Sequence, residues 1–153
     1  MNVLVAYYSR SGLTRNLAEN IAKTLDADLD EITDEKKRSG IFGWLKAGRD
    51  AFLEKKTDIN YDKNPDSYDL IVIGTPVWAG RITPAVRTYL SECSPEKVAF
   101  FATYGGSQGK VFKNMESLSK KPLNTLGVKM KNIKLKILQN KVETFCEKIK
   151  ENT

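Results

Sequence analysis

The sequence contains no histidine. That absence removes Ser-His and Cys-His catalytic pairs, together with the commonest side-chain ligand of transition metals. Cysteine is nearly absent: Cys93 and Cys146 lie far apart and without C-x-x-C spacing. A disulfide framework, a redox-active pair and a thiolate metal site are therefore not expected, and both residues read as small buried hydrophobes. No apolar run approaches the roughly 18 residues that a membrane span needs. The apolar start is the short "NVLVA", not the longer core of a signal peptide behind basic residues. A soluble, cytoplasmic protein with no membrane span is the expectation. With no metal site and no acid–base constellation in view, chemistry has to come largely from a cofactor.

Acidic residues are scarce in one region only. Residues 1 to 119 hold 16 Lys or Arg and 16 Asp or Glu, whereas residues 120 to 153 hold nine Lys and three Glu, which supplies the whole net charge of +6. Much of the excess lies in "VKMKNIKLKI", residues 128 to 137. Lysines recurring every second or third residue read as an edge strand protected from pairing with another chain. That reading outweighs a nucleic-acid site, because base-stacking aromatics are missing between these lysines. At 153 residues and 41% hydrophobic, the chain is one domain over 1–153.

Continuous apolar runs mark buried strands at 3–8, 68–74 ("YDLIVIG") and 97–104 ("KVAFFATY"). "DLDEIT" at 28–33 alternates and suits a shorter strand. A further strand falls within 123–137, where apolar parity changes between Met130 and Ile133, so a bulge or an early end is expected. Helical spacing appears at 13–25, with Leu13, Leu17, Ile21 and Leu25 four apart. Residues 34–40 read as a charged loop, and Ile41, Trp44, Leu45, Gly48 and Phe52 as an amphipathic helix weakened by two glycines. A long polar loop follows at 55–67. Pro84 opens a helix to about Ser91, with Thr83 as its cap. Two more helices are expected, one from "GGSQGK" to about Ser119 and one near 139–151 with Val142, Phe145, Cys146 and Ile149 on one face. Five alternations of strand and helix, with apolar strands, argue for a parallel sheet covered on both faces.

Ligands of such sheets bind beyond the carboxyl ends of the strands. Three strand-end loops qualify: "SRSGLT" (9–14), "TPVWAGR" (75–81) and "TYGGSQG" (103–109). The first offers amides at a helix N-terminus plus the hydroxyls of Ser9, Ser11 and Thr14, a set that favours a phosphate dianion. The same composition also suits a hydroxyl-capped helix start. G-x-G-x-x-G is missing, and "GGSQGK" is one residue short of a triphosphate-binding loop, with Val111 where a Ser or Thr would hold magnesium. The second loop sets Trp78 beside the unbulky Ala79-Gly80, where a planar ring could stack; the alternative is a Trp that covers a strand end. The glycines of the third, Gly105, Gly106 and Gly109, allow close backbone approach or simply a turn.

The segments "VLVAYYSRSGLTRNLAENIA", "YDLIVIGTPVWAGRITPAVRTYL" and "KVAFFATYGGSQGK", in this order and at these separations, resemble the flavodoxin family over nearly the whole chain. The resemblance implies a doubly wound α/β fold with a five-stranded parallel sheet in the order 2-1-3-4-5 and helices on both faces, of the short-chain type. It implies flavin mononucleotide (FMN) as cofactor. Its phosphate would meet Ser9, Arg10, Ser11, Gly12, Leu13 and Thr14, with Arg10 and Leu13 acting mainly through backbone N–H. Pro76, Val77, Trp78, Ala79 and Gly80 would lie at one side of the ring, and Thr103, Tyr104, Gly105, Gly106 and Gly109 at its pyrimidine side. Three features depart from the family pattern. The chain is basic, Arg81 stands where an acidic residue is frequent, and Gly106 replaces a second ring-stacking aromatic, which leaves a ring face open unless another aromatic such as Trp44 covers it.

For function, the resemblance implies a low-potential carrier of electrons between transient redox partner proteins, with the Ala79-Gly80 peptide as the element expected to reorient. The alternative is an FMN-dependent reductase that takes hydride from NAD(P)H and passes electrons to a quinone or similar acceptor. Open space at Gly106 and the cation Arg81 favour this alternative; the lack of a recognisable pyridine-nucleotide motif counts against it. A scaffold that kept the fold and lost the flavin is the third class, disfavoured because all three loops are intact.

Overall fold

The computed structural model describes residues 1–34, 57–133 and 136–153. Its strands are β1 (Val3–Tyr8), β2 (Asp28–Asp34), β3 (Ile59–Asn60), β4 (Leu70–Pro76), β5 (Lys97–Tyr104) and β6 (Thr125–Lys129). Its helices, numbered among the described residues, are α1 (Leu13–Leu25), α2 (Pro84–Glu92), α3 (Val111–Leu118) and α4 (Lys136–Glu151).

The sheet order is β3-β2-β1-β4-β5-β6. β2, β1, β4, β5 and β6 are mutually parallel neighbours, which gives the expected five-stranded 2-1-3-4-5 arrangement. Among the described residues only β3 is additional, a two-residue antiparallel pairing of Thr33 with Asn60 and Asp34 with Ile59. The long polar loop expected at 55–67 therefore contains a sixth strand. A tertiary clamp holds it there: the buried Asp30 carboxylate accepts hydrogen bonds from the Asp62 and Lys63 amides at 3.2 and 2.8 Å. The Thr88 hydroxyl accepts from the Thr57 amide and donates to the Thr57 carbonyl, which fixes the same segment to α2.

Because side chains alternate along a strand, each central strand feeds two cores. Val3, Val5 and Tyr7 of β1 pack with Leu17 and Ile21 of α1 and Val142, Phe145 and Ile149 of α4. Leu4, Ala6 and Tyr8 face the opposite core, with Val86 and Tyr89 of α2 and Val111 and Met115 of α3. Helices thus cover both faces, as the apolar runs required. Thr83 caps α2 by accepting from the Val86 amide at 3.5 Å, with Pro84 in the first turn.

β6 ends at Lys129 and gives way to a single 3₁₀ turn over Met130–Asn132, which is the early end expected from the parity change. Of the described lysines in the lysine-rich stretch only Lys129 lies in the edge strand, while Lys136 opens α4. α4 begins three residues before the expected start. The expected helix around Ile41 to Phe52, with Trp44, lies outside the described residues.

Cys93 and Cys146 are free and buried, as their sequence context suggested, and burial pushes both thiols up to about 11. A thiol raised in the folded chain stays protonated until the pH passes the ordinary thiol range. Iodoacetamide at pH 8 should therefore leave both cysteines unmodified in the folded protein and alkylate both in urea; mass spectrometry reads the difference. Modification of either thiol at a rate near that in urea would contradict its burial.

Gly74 is a second checkpoint. It pairs with Phe101 across β4 and β5, and a Cβ at Gly74 would overlap the ring carbons of the fully buried Phe101. Gly74→Ala should destabilise by about 1–3 kcal/mol through overpacking. Phe101→Leu should recover part of that loss in the double variant, as measured by urea unfolding. Additive losses would mean that the two positions do not share space.

Candidate functional site

Chain order alone brings three loops together. From β1 the chain moves one way to β2, and the next central strand, β4, lies on the other side. The carboxyl ends of β1 and β4 therefore straddle the reversal, and β5 lies beside β4. In such sheets the crevice at that point is where ligands bind. The loops 9–14, 75–81 and 103–109 all leave these strand ends.

Loop 9–14 makes an unusual helix start. Gly12 is the cap residue of α1 at φ +91°, a conformation that side chains disfavour, and no side chain caps the helix. Gly12 N–H donates to the Ser9 hydroxyl at 3.0 Å, and its carbonyl accepts the first helical bond from Asn16. The amides of Leu13, Thr14 and Arg15 in the first turn are left without a capping side chain. No acidic residue lies in that turn. Arg10 and Ser11 are exposed, Ser9, Gly12 and Leu13 half-buried, and Thr14 buried. The Thr14 hydroxyl is 2.8 Å from that of Thr103.

Loop 75–81 is a tight turn. Trp78 and Arg81 exchange both backbone hydrogen bonds at 3.0 Å. The two residues between them have positive φ, 51° at Ala79 and 71° at Gly80. For Ala79 that conformation costs on the order of 1 kcal/mol or more, so the surroundings must hold it. Pro76 ends β4, and the Thr75 hydroxyl donates to its carbonyl at 2.8 Å. Trp78 is only 8% exposed, and its ring stands edge-on to Tyr8 with centroids 5.6 Å apart. In this arrangement the indole closes the end of β1, and Ala79 is the exposed tip of the turn.

Loop 103–109 fastens the other two. Besides meeting Thr14, Thr103 accepts from the Val77 amide at 2.9 Å through its carbonyl. Farther along, Gly109 lies against Gly80: a Cβ there would sit 2.7 Å from the Gly80 Cα. The Gly80 carbonyl accepts from the Lys110 amide at 2.9 Å. Tyr104 is half-buried, whereas Gly105 and Gly106 are exposed, with open space where their Cβ atoms would be. Together the three loops carry Arg10 and Arg81, with Lys110 directly after the third, and no acidic residue. Near them the Tyr7 phenol is raised above its ordinary range, chiefly by burial.

Two participants carry no mark in the sequence. Thr75 forms a buried hydroxyl pair with Thr83 at 3.1 Å, which joins the end of β4 to the start of α2. Gln108 fills the place where Gly127 of β6 would carry a side chain. Both are contacts across the fold for which local composition holds no signal.

Comparison with known proteins adds the family. No curated protein matches the chain. Among solved structures, a flavoprotein from Lactobacillus acidophilus NCFM described in complex with FMN is 25% identical, covering 82% of this chain and 92% of that one, with a TM-score of 0.69. A flavoprotein from Bacteroides uniformis is 20% identical over 95% of this chain and 97% of its own, with a TM-score of 0.76. Oxidised flavodoxin 2 from Bacillus cereus is 18% identical with full coverage of both chains and a TM-score of 0.65. The last two speak for the fold alone. The flavodoxin family model matches residues 2–149, and by that match this chain belongs to the flavodoxin family.

Proposed function

We propose that the chain binds FMN at the three loops and serves as an electron carrier between redox proteins in the cytoplasm. The observation that carries this reading is the uncapped start of α1. Its first-turn amides have no side-chain acceptor and its N-cap is an open glycine, an arrangement suited to a terminal phosphate. The absence of acids from the loops, which carry Arg10 and Arg81 with Lys110 directly after the third, favours an anion as well. The match to the flavodoxin family and the FMN complex of the Lactobacillus relative support it. No helix among the described residues is long and apolar enough to cross a membrane.

Each loop has a physical task in this reading. Ser9, Ser11 and the amides around Gly12 hold the phosphate, with Arg10 and Leu13 contributing backbone N–H. Pro76, Val77, Trp78, Ala79 and Gly80 flank one side of the ring, with Ala79 as the exposed tip of the turn. Thr103, Tyr104, Gly105, Gly106 and Gly109 flank the other. When bound, the flavin supplies the electron-transfer chemistry. The protein supplies position, hydrogen bonds and field. The buried Thr14 hydroxyl can accept from Thr103 and still donate its own proton to a phosphate oxygen.

A second reading, a reductase fed by NAD(P)H and delivering to a quinone-like acceptor, is favoured by the open space at Gly105 and Gly106. Rapid reduction of the bound flavin by NADH or NADPH in a stopped-flow experiment would select it. Very slow reduction would select the carrier.

Mass spectrometry of the released cofactor should find FMN; FAD, or no flavin uptake, would end the proposal. Thr14→Val and Thr103→Val then separate two roles of one hydrogen bond. Both break the buried hydroxyl pair and should lower stability by about 1–3 kcal/mol. Only Thr14→Val removes the hydroxyl assigned to the phosphate, so it alone should weaken FMN relative to riboflavin, by roughly ten- to a hundredfold. Equal effects on the two ligands would restrict Thr14 to a packing role.

A further inference from the structure

Away from the three loops, a groove of about 380 Å³ lies between β6 and α4. One wall is the strand, including Thr125 and Gly127, and the other is the helix, including Ile137, Lys141, Thr144 and Lys148. These four of the helix positions are spaced four, three and four apart, so they form one continuous face. β6 is the last strand of the sheet, and its outer backbone edge has no strand partner among the described residues.

The register shows which groups face outward. The Asn124 carbonyl accepts from the Phe100 amide on the β5 side at 3.1 Å. Alternation then turns Leu126 and Val128 toward β5 as well, and directs the N–H and C=O of Thr125, Gly127 and Lys129 outward. An open edge of this kind is a template for another strand. Its usual protection, charge within the strand, is limited here to Lys129.

The chemistry of the groove selects the occupant. Lys141 and Lys148 are exposed and have no ion-pair partner among the described residues, and no acidic side chain lines the groove. Ile137, at the end of the stripe, is 54% exposed, a large apolar side chain with little cover. Residues 120–153 carry the whole positive excess of the chain. A second copy of this chain would bring lysine stripes against each other, which like-charge repulsion opposes. A nucleic acid would find no exposed aromatic in the groove on which to stack.

We propose that the groove receives an extended acidic segment of another protein, added as a strand to β6. Its backbone pairs with Thr125, Gly127 and Lys129, its carboxylates meet Lys141 and Lys148, and an apolar residue covers Ile137. Strand addition of this type draws affinity from main-chain hydrogen bonds and selectivity from flanking side chains. The groove is complete without a cofactor, so the inference stands apart from flavin binding. It is nonetheless adjacent to the third loop: Gln108 covers Gly127, and Lys129 pairs with Tyr104.

The test uses the whole protein and a fluorescein-labelled peptide of alternating glutamate and valine, followed by fluorescence anisotropy at low salt. The peptide should bind saturably, and hydrogen exchange should slow at the Thr125, Gly127 and Lys129 amides while Leu126 and Val128 stay unchanged. The double variant Lys141→Glu/Lys148→Glu, altered at two exposed positions, should bind about tenfold more weakly or worse. A peptide of the same charge interrupted by prolines should fail to bind, since it cannot complete the ladder. Binding of the proline peptide as tight as that of the first would reduce the effect to charge attraction and overturn strand addition. So would unchanged binding by the double variant, or no binding at all. Protection of the outward amides without peptide, with a dimer in light scattering, would assign the edge to a second copy instead.

Discussion

Thr103 is the residue through which the loop-bearing edge of this protein is held together. Strand ends fix where each loop begins, yet nothing in a parallel ladder fixes how the loops stand relative to one another. Thr103 does so with two groups. Its hydroxyl meets Thr14 in the first turn of α1, and its carbonyl takes the Val77 amide at the head of the Trp78 turn. Both threonine side chains are buried, so losing either partner strands a hydroxyl away from water. The Gly80 to Gly109 contact and the bond from Lys110 then brace the far side of the turn, which keeps Ala79 in a conformation that it would not adopt alone.

How much of this can be read from sequence depends on a physical division between local and distant causes. β1, α1 and β5 match their expected spans because apolar runs and periodic leucines are properties of neighbouring residues. β4 starts two residues later than expected and runs through Pro76, since its limits are set by pairing with β1 and β5. β3 is illegible in sequence: two residues with a single apolar side chain become a strand only because Asp30 grips the loop after them.

The same division applies to the loops. Composition locates all three, and their residues do emerge at one edge of the sheet. The contacts that join them are not legible, since Thr14 and Thr103 are 89 residues apart. Trp78 illustrates the ambiguity of an aromatic in a turn: its composition suits both a stacking platform and a lid, and in this arrangement its ring packs edge-on against Tyr8. The lysine-rich stretch reads in sequence as one protected strand. Its described lysines are divided among β6 (Lys129), a 3₁₀ turn (Lys131) and the start of α4 (Lys136), so two of these three lie outside the strand that the stretch is expected to protect.

The missing histidines and the two buried thiols have a joint consequence for the molecule as a charged object. Ordinary carboxylates finish ionising below about pH 6, and lysines begin to lose protons only above about pH 9. Histidine and accessible cysteine are the side chains that would titrate between. This chain has no histidine, and burial holds both of its thiols up to about 11. Neither of those two kinds of side chain is therefore available to switch the charge of this chain near neutrality. Attraction to an acidic surface then lacks a histidine or thiol switch, and the dissolved ions around the molecule are what tune it.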